Sequence, residues 1–299
     1  MHTTHPWMGI PVKKAMTRFT PLARIRPYSA VCKRVMHLRM VEGMASSKRI
    51  VVVGGGVGGV TVAARLAKER PGWDVLLLEK NEQLGGRLDT LRMDGFRWDT
   101  GPTLLLAPGI YRAAFDALGS GRRMEDWTEL RRVEPAYRVF LSDNTPLALT
   151  ANMSIMREQL EALEPGCFPR FLAYMEEARI NFEKGFTSRP FQSPDNSIWD
   201  YVNADNLALL REFDPTSLIE SHESRLGRYF KEPRVRELLS FQDLYIGLPP
   251  HRAPAIFSLL QHLELVEGVW YPVGGFQTVL EGLAAAAGEC GVRVRTGAR

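Results

Sequence analysis

The stretch Val51–Lys80, VVVGGGVGGVTVAARLAKERPGWDVLLLEK, decides how this chain folds. Val51, Val52 and Val53 form a β-branched run that enters a glycine turn, the pattern of a buried parallel strand. Gly54, Gly56 and Gly59 occupy the three positions of a G-x-G-x-x-G turn. The first allows the tight turn, the second lets backbone approach a pyrophosphate, and the third lets the following helix lie close to the strand. The segment VTVAARLAKE then places Val60, Ala63, Ala64 and Ala67 on one face and Arg65, Lys68 and Glu69 on the other, until Pro71-Gly72 stops the helix. The second strand, DVLLLEK, ends in Glu79, about twenty residues beyond the last glycine, where a carboxylate accepts hydrogen bonds from ribose hydroxyls. A dinucleotide is therefore expected, its pyrophosphate on the helix N-terminus, where unpaired N–H groups and a partial positive charge face it.

The next residues, NEQLGGRLDTLRMDGFRWDTGPTLLL, bear on which dinucleotide it is. Gly85-Gly86-Arg87 adds a second close-approach turn and a guanidinium suited to a pyrophosphate. Domains for NAD usually pass from the second strand straight into another helix. The order found here (glycine turn, acid, G-G-R, then Asp99-Thr100-Gly101-Pro102) resembles the FAD-binding start of the flavin amine oxidase and carotenoid desaturase superfamily. An NAD-dependent dehydrogenase leaves these two later motifs without a role. The resemblance implies FAD held by Gly54, Gly56, Val57, Gly58, Gly59, Glu79, Lys80, Gly85, Gly86, Arg87, Gly101, Pro102 and Thr103.

Downstream, LLSFQDLYIGLPPHRAPAIFSLLQHLELVEGVWYPVGGFQTVLEGLAAAAGECGVRVRTGAR is similar to the bacterial-type phytoene desaturase family, so that the resemblance runs over residues 50–299. It implies an α/β fold: a Rossmann-like FAD-binding domain of the glutathione-reductase type with an inserted α+β substrate domain. The expected division is a leader at 1–47, the FAD-binding βαβ unit and G-G-R segment at 48–110, the inserted, membrane-facing domain at 111–265 and a return to the FAD domain at 266–299. It also implies that the C-terminal part of the family fold is missing, which leaves an inactive truncated relative as one alternative. Carotenoid isomerases and retinol saturase relatives share the layout and are another. Trp270, Tyr271, Gly274 and Gly275 are candidates for a substrate pocket, although aromatic residues beside glycines also serve as ordinary core. The implied chemistry is FAD-dependent desaturation of a carotenoid, with quinone or oxygen as final electron acceptor.

Between these parts, EPAYRVFLSDNTPLALT reads as a hairpin turning at Asp143-Asn144, and residues 152–186 as two helices broken at Glu164-Pro165-Gly166. His262, Glu264 and Asp243 are candidates for proton transfer, with no catalytic base assigned, because spacing alone fixes no role. No nucleophile motif or metal-ligand spacing is visible. A C40 hydrocarbon exposed to water would cost tens of kcal/mol at about 0.8 kcal/mol per CH2. Peripheral contact with a membrane surface is therefore expected, with Ile256, Leu259, Leu260 and Leu263 as one candidate face, although core packing explains these four equally well. Charge argues against a nucleic-acid partner: residues 1–43 hold eight Lys/Arg against the single acid Glu42, leaving 30 bases and 33 acids in the remainder. That leader has the composition of a plastid or other organelle transit peptide, while a start at Met44 would leave a cytoplasmic, membrane-associated protein. Three scattered cysteines exclude a disulfide framework.

Overall fold

The computed structural model describes residues 48–119, 121–141, 144–186 and 213–299. The leader, and with it the start-codon and import readings, lies outside the described residues. Three parallel strands form the main sheet: β1 (Arg49–Val53), β2 (Asp74–Leu78) and, from the far end of the chain, β9 (Arg293–Arg295). Their order is β1-β2-β9, with Val51 opposite Leu76 and Leu77 opposite Val294. The crossover between β1 and β2 is α1 (Val57–Glu69), which buries Val60, Ala63, Ala64 and Ala67, the face expected from the helical spacing. A second helix, α8 (Gln277–Glu289), precedes β9 and lies against α1, burying Val279, Leu280, Leu283, Ala286 and Ala287. Small side chains on both helices let their backbones come close, and the apolar area they remove from water stabilises the unit at about 25 cal/mol per Å2.

Four shorter strands and a helix attach to this core. β3 (Thr90–Met93) and β4 (Phe96–Asp99) form an antiparallel hairpin; α2 (Pro108–Leu118) follows. β5 (Leu130–Arg132) pairs antiparallel with β8 (Trp270–Pro272), tying the two ends of the intervening segment together. Phe115, Leu118 and Met124 belong to the same apolar core as Val60 and Leu283, so this core extends beyond the boundary expected at residue 110.

A second core forms between residues 137 and 265. The hairpin β6 (Tyr137–Phe140) and β7 (Pro146–Leu149) contributes Leu147 and Leu149. Helices α3 (Met153–Leu163) and α4 (Phe168–Ile180) contribute Met156, Leu160, Phe171 and Tyr174. Asn152 caps α3 by accepting from the Ser154 and Ile155 N–H groups, and Glu164-Pro165-Gly166 separates the helices, with Gly166 at φ +78°. Three short elements close the core: α5 (His222–Tyr229), α6 (Pro233–Leu238) and α7 (Leu259–His262). One expectation is corrected. Ile256, Leu259 and Leu263 are buried and Leu260 is half-buried, so they form core and present no outward face to a membrane; the apolar spacing that suggested a surface is the helix's inward stripe. No described helix is long and apolar enough to cross a membrane.

Candidate cofactor site

The glycine turn leaves β1 with Gly54 at φ +107° and its N–H bonded to the Leu78 carbonyl at 2.7 Å, which seats the turn on the end of β2. Gly59 touches that turn from inside α1: a Cβ there would lie 1.9 Å from the Gly54 carbonyl oxygen. Gly54 and Gly58, in contrast, have nothing within 4 Å of where a Cβ would stand. The N-cap of α1 is Gly56, with no side-chain cap and no acid in the first turn. The first N–H groups of this helix thus have no intrahelical partner and face open space.

Glu79 sits directly behind the turn. It is 5% exposed; Oε2 accepts from the Gly55 N–H at 2.6 Å and Oε1 from the Asn81 N–H at 2.9 Å. The Asn81 and Gly55 donors hold its carboxyl below the usual carboxylate range, against the opposing effect of burial. Each oxygen retains lone-pair capacity for a ligand hydroxyl. Lys80 is exposed. Residues following β9 fold back over the acid: the Ala298 N–H donates to the Glu79 carbonyl and the Gly297 N–H to that of Asn81.

The G-G-R segment comes to the same place. The Gly85 N–H donates to the Gly55 carbonyl at 3.1 Å, and Gly86 Cα lies 3.7 Å from where a Gly56 Cβ would be. Two glycine turns are thereby stacked; a Cβ on Gly86 would stand 3.0 Å from Gly56 Cα, whereas one on Gly56 would make ordinary contact. Arg87 is exposed in a single 3-10 turn, Gly86–Leu88. Its carbonyl fills the space beside Gly101, where a Cβ would be 1.7 Å from that oxygen, which brings Gly101, Pro102 and Thr103, all exposed, next to it.

Gly274 and Gly275, at φ +93° and +85°, form the entry to α8. Their close neighbours are side chains of this chain: Thr278 at Gly274, and Asp99 and Arg97 at Gly275. Gln277 donates from Nε2 to the Leu84 carbonyl at 3.1 Å, so the start of α8 abuts both the G-G-R and the D-T-G-P segments. Buried Gln277 Oε1 and Asp99 Oδ1 have no protein donor. Trp270 is half-buried against the first core, pairs by backbone with Leu105 and lies under the Arg132 guanidinium. Tyr271 is half-buried beside it on β8.

The three proton-transfer candidates lie elsewhere, in the second core. Asp243 is fully buried and paired to the His222 ring at 2.9 Å. Glu264 accepts from Gln242 at 2.9 Å. The His262 ring lies tilted against Phe182, with centroids 5.2 Å apart, and burial pushes its pKa down to about 4. Sequence reading named Asp243 without its partner, because His222 is 21 residues away and only folding juxtaposes them. Among the described residues no His/Cys/Asp/Glu group could hold a metal ion.

The geometry fits an extended anionic dinucleotide: an uncapped helix N-terminus, two glycine turns, a buried ionised acid, an exposed arginine and unsatisfied buried acceptors. A family model described as flavin containing amine oxidoreductase matches residues 57–299. The chain is 36% identical over 267 residues to a zeta-carotene-forming phytoene desaturase of Myxococcus xanthus, covering 86% of this chain and 48% of that protein. It is 36% identical over 247 residues to a phytoene desaturase of Phycomyces blakesleeanus, covering 82% and 41%. A carotenoid 3,4-desaturase of Haloarcula japonica is 33% identical over 253 residues, covering 85% and 50%. The chain thus spans about half the length of the curated relatives it matches. Among solved structures, a Pyrococcus furiosus protein superposes with a TM-score of 0.52 at 18% identity, covering 83% of this chain and 51% of that one. A Rab GDI from Plasmodium falciparum gives 0.52 at 14%, covering 84% and 58%. These structural likenesses concern the fold alone.

Proposed function

The chain belongs to the flavin-containing amine oxidoreductase family, and from that membership we propose that it forms the nucleotide-binding part of an FAD-dependent enzyme that desaturates phytoene or a related carotenoid. The observation that carries the cofactor reading is the meeting of Glu79, Gly55 and Gly85 at the open end of α1. Glu79 would take the ribose hydroxyls, the first turn of α1 the pyrophosphate, and Arg87 a phosphate oxygen. The unpartnered oxygens of Gln277 and Asp99 would take donors from the rest of the cofactor. FAD, once bound, supplies the hydride acceptor for C–H oxidation. The chain's own residues bind, orient and exclude water; Trp270 and Tyr271 on β8 would face the substrate side.

The substrate class comes from the names of the relatives, all carotenoid or phytoene desaturases. A hydrocarbon of that size remains in a bilayer, so the proposal includes peripheral membrane contact, with quinone or oxygen as electron acceptor and delivery to an organelle by the basic leader. The test is titration with FAD and with NAD, followed by incubation of the FAD-loaded protein with phytoene in liposomes and chromatography of the products. FAD binding with the appearance of longer conjugated polyenes supports the reading. Tighter NAD binding would overturn the cofactor assignment, and FAD binding with phytoene left unchanged would overturn the substrate.

A further inference from the structure

The second core contains a continuous line of polar side chains in otherwise apolar surroundings. Gln261 fixes its direction. Both hydrogens of its Nε2 are used, one on the Leu239 carbonyl at 2.7 Å and one on Gln242 Oε1 at 2.8 Å. A backbone carbonyl only accepts, so the orientation of the Gln261 amide is settled, and with it that of Gln242, whose Nε2 donates to Glu264 Oε2 at 2.9 Å. Gln261 Oε1 in turn receives the Tyr174 hydroxyl at 3.1 Å. The Tyr174 oxygen must then accept from His222 Nε2, 2.8 Å away. That leaves His222 Nδ1 against both oxygens of Asp243, at 2.9 and 3.0 Å.

A shorter arm reaches Glu264 from outside. Tyr245, 48% exposed between exposed Leu244 and Ile246, donates to the Tyr137 hydroxyl at 2.7 Å, and Tyr137 donates to Glu264 Oε1 at 3.3 Å. From His222 Nε2 through Tyr174, Gln261 and Gln242, and from Tyr245 through Tyr137, successive hydrogen bonds run toward the one carboxyl, which is 2% exposed. An amide cannot pass a proton on, so the glutamine arm polarises the site, while the two hydroxyls can conduct.

We propose that Glu264 is a proton-storing, positioning residue, filled from an apolar surface at Tyr245 through Tyr137. The proposal rests on the dehydrogenation reading above. In that reaction a hydride passes from one carbon to the flavin. The adjacent carbon loses a proton, and the electron pair of its C–H bond becomes the new π bond. The proton enters at the free lone pair of the Tyr245 oxygen, whose own proton moves to Tyr137, and that of Tyr137 moves to Glu264. Burial raises the proton affinity of Glu264, partly offset by the Gln242 amide and the two nearby tyrosine hydroxyls. The groups facing it are Tyr137 from β6, and Gln242 and Tyr245 from the turn Phe241–Ile246. On the adjoining β5, the guanidinium of Arg132 donates to the Leu265 carbonyl at 3.2 Å.

Two measurements on the FAD-loaded protein test this. In the first, Glu264→Gln and Tyr245→Phe are each expected to lower kcat about tenfold or more with KM unchanged, and to remove the same limb of the pH profile, with Glu264→Asp restoring part of it. A merely structural carboxyl would lower stability and leave the profile intact, which would overturn the proposal. The second needs no turnover: deuterium exchange of the Glu264 carboxyl, followed by its infrared carbonyl band and identified by its loss in Glu264→Gln. Exchange about tenfold slower in Tyr245→Phe and Tyr137→Phe supports the relay, and equal rates in all three proteins overturn it. A protein that exchanges as expected but converts no phytoene refutes the desaturase reading and leaves the relay standing.

Discussion

Within the glycine turn, neighbouring residues with the same side chain face opposite consequences. A methyl group on Gly59 would stand 1.9 Å from the Gly54 carbonyl oxygen, and that oxygen belongs to a turn pinned to β2 by the Gly54–Leu78 hydrogen bond. Gly59→Ala is therefore expected to destabilise the protein by about 3 kcal/mol, the upper end of ordinary overpacking, because backbone has to move. Gly58 has open space, so Gly58→Ala should leave denaturant stability unchanged or raise it by up to about 1 kcal/mol through helix propensity. The same methyl would protrude where the pyrophosphate is proposed to lie, so FAD affinity should fall while stability does not. His262 gives a second test at this scale. Its folded pKa of about 4 is below the ordinary 6.5, so the unfolded chain binds the extra proton between those values. Its stabilising contribution is complete above pH 6.5 and is lost as pH falls toward 4, by roughly 3 kcal/mol for a shift of this size. In urea titrations at pH 7 and pH 4.5, His262→Leu should flatten most of that acid loss.

Helix α8 shows how packing outweighs intrinsic propensity at the level of an element. Gly282 lies mid-helix, where exchange for Ala should gain about 1 kcal/mol. A Cβ there, however, would be 2.7 Å from Trp127 Cγ and 3.1 Å from Phe115 Cζ. Overpacking of a filled core costs about 1–3 kcal/mol, so Gly282→Ala should be a net loss of up to about 2 kcal/mol, read from the shift in denaturation midpoint at constant slope. Trp127→Leu should make room for the methyl, and the double variant should lose less than the two single losses added together. The existence of α8 was legible because its apolar residues recur at helical spacing, and the four alanines foretold a close approach. The same holds for α1 and β2, whose local pattern and tertiary role agree; β1 is the parallel strand expected but not a buried one, because Val51 and Val53 point to a face that no described helix covers. What the sequence did not show are side chains joined by long-range packing: Asp99 filling the space at Gly275, Arg87's carbonyl at Gly101, and Tyr174, His222 and Gln261 brought together from three separate helices. Periodicity also could not say which way the Ile256–Leu263 stripe pointed, because an inward and a membrane-facing stripe have one spacing. Burial decided it.

At the scale of the molecule, the main sheet is covered unevenly. Helices α1 and α8 bury the Val75–Leu77 side, whereas Val51 and Val53 on β1 are 47% and 82% exposed. Among the described strands β1 pairs only with β2, so its other edge presents unpaired backbone N–H and C=O groups beside an apolar face. The β3–β4 hairpin adds Leu91, Met93, Phe96 and Trp98, each exposed, with the last two rings 5.7 Å apart. An open edge next to exposed valines is a template for pairing with another strand, and single surface charges are the usual means by which proteins block it. Val53→Lys places an ammonium on this edge at a position that contributes little burial, so the unfolding free energy should change by no more than about 0.5 kcal/mol. Self-association, followed by light scattering and by sedimentation across a concentration series, should fall markedly. Phe96→Lys on the hairpin provides the comparison. If the edge strand is the adhesive element, Val53→Lys suppresses association more than Phe96→Lys does, although Phe96 is the larger apolar group. Equal suppression by both would instead assign the association to apolar area alone, since the hairpin substitution removes area without touching the open edge of β1.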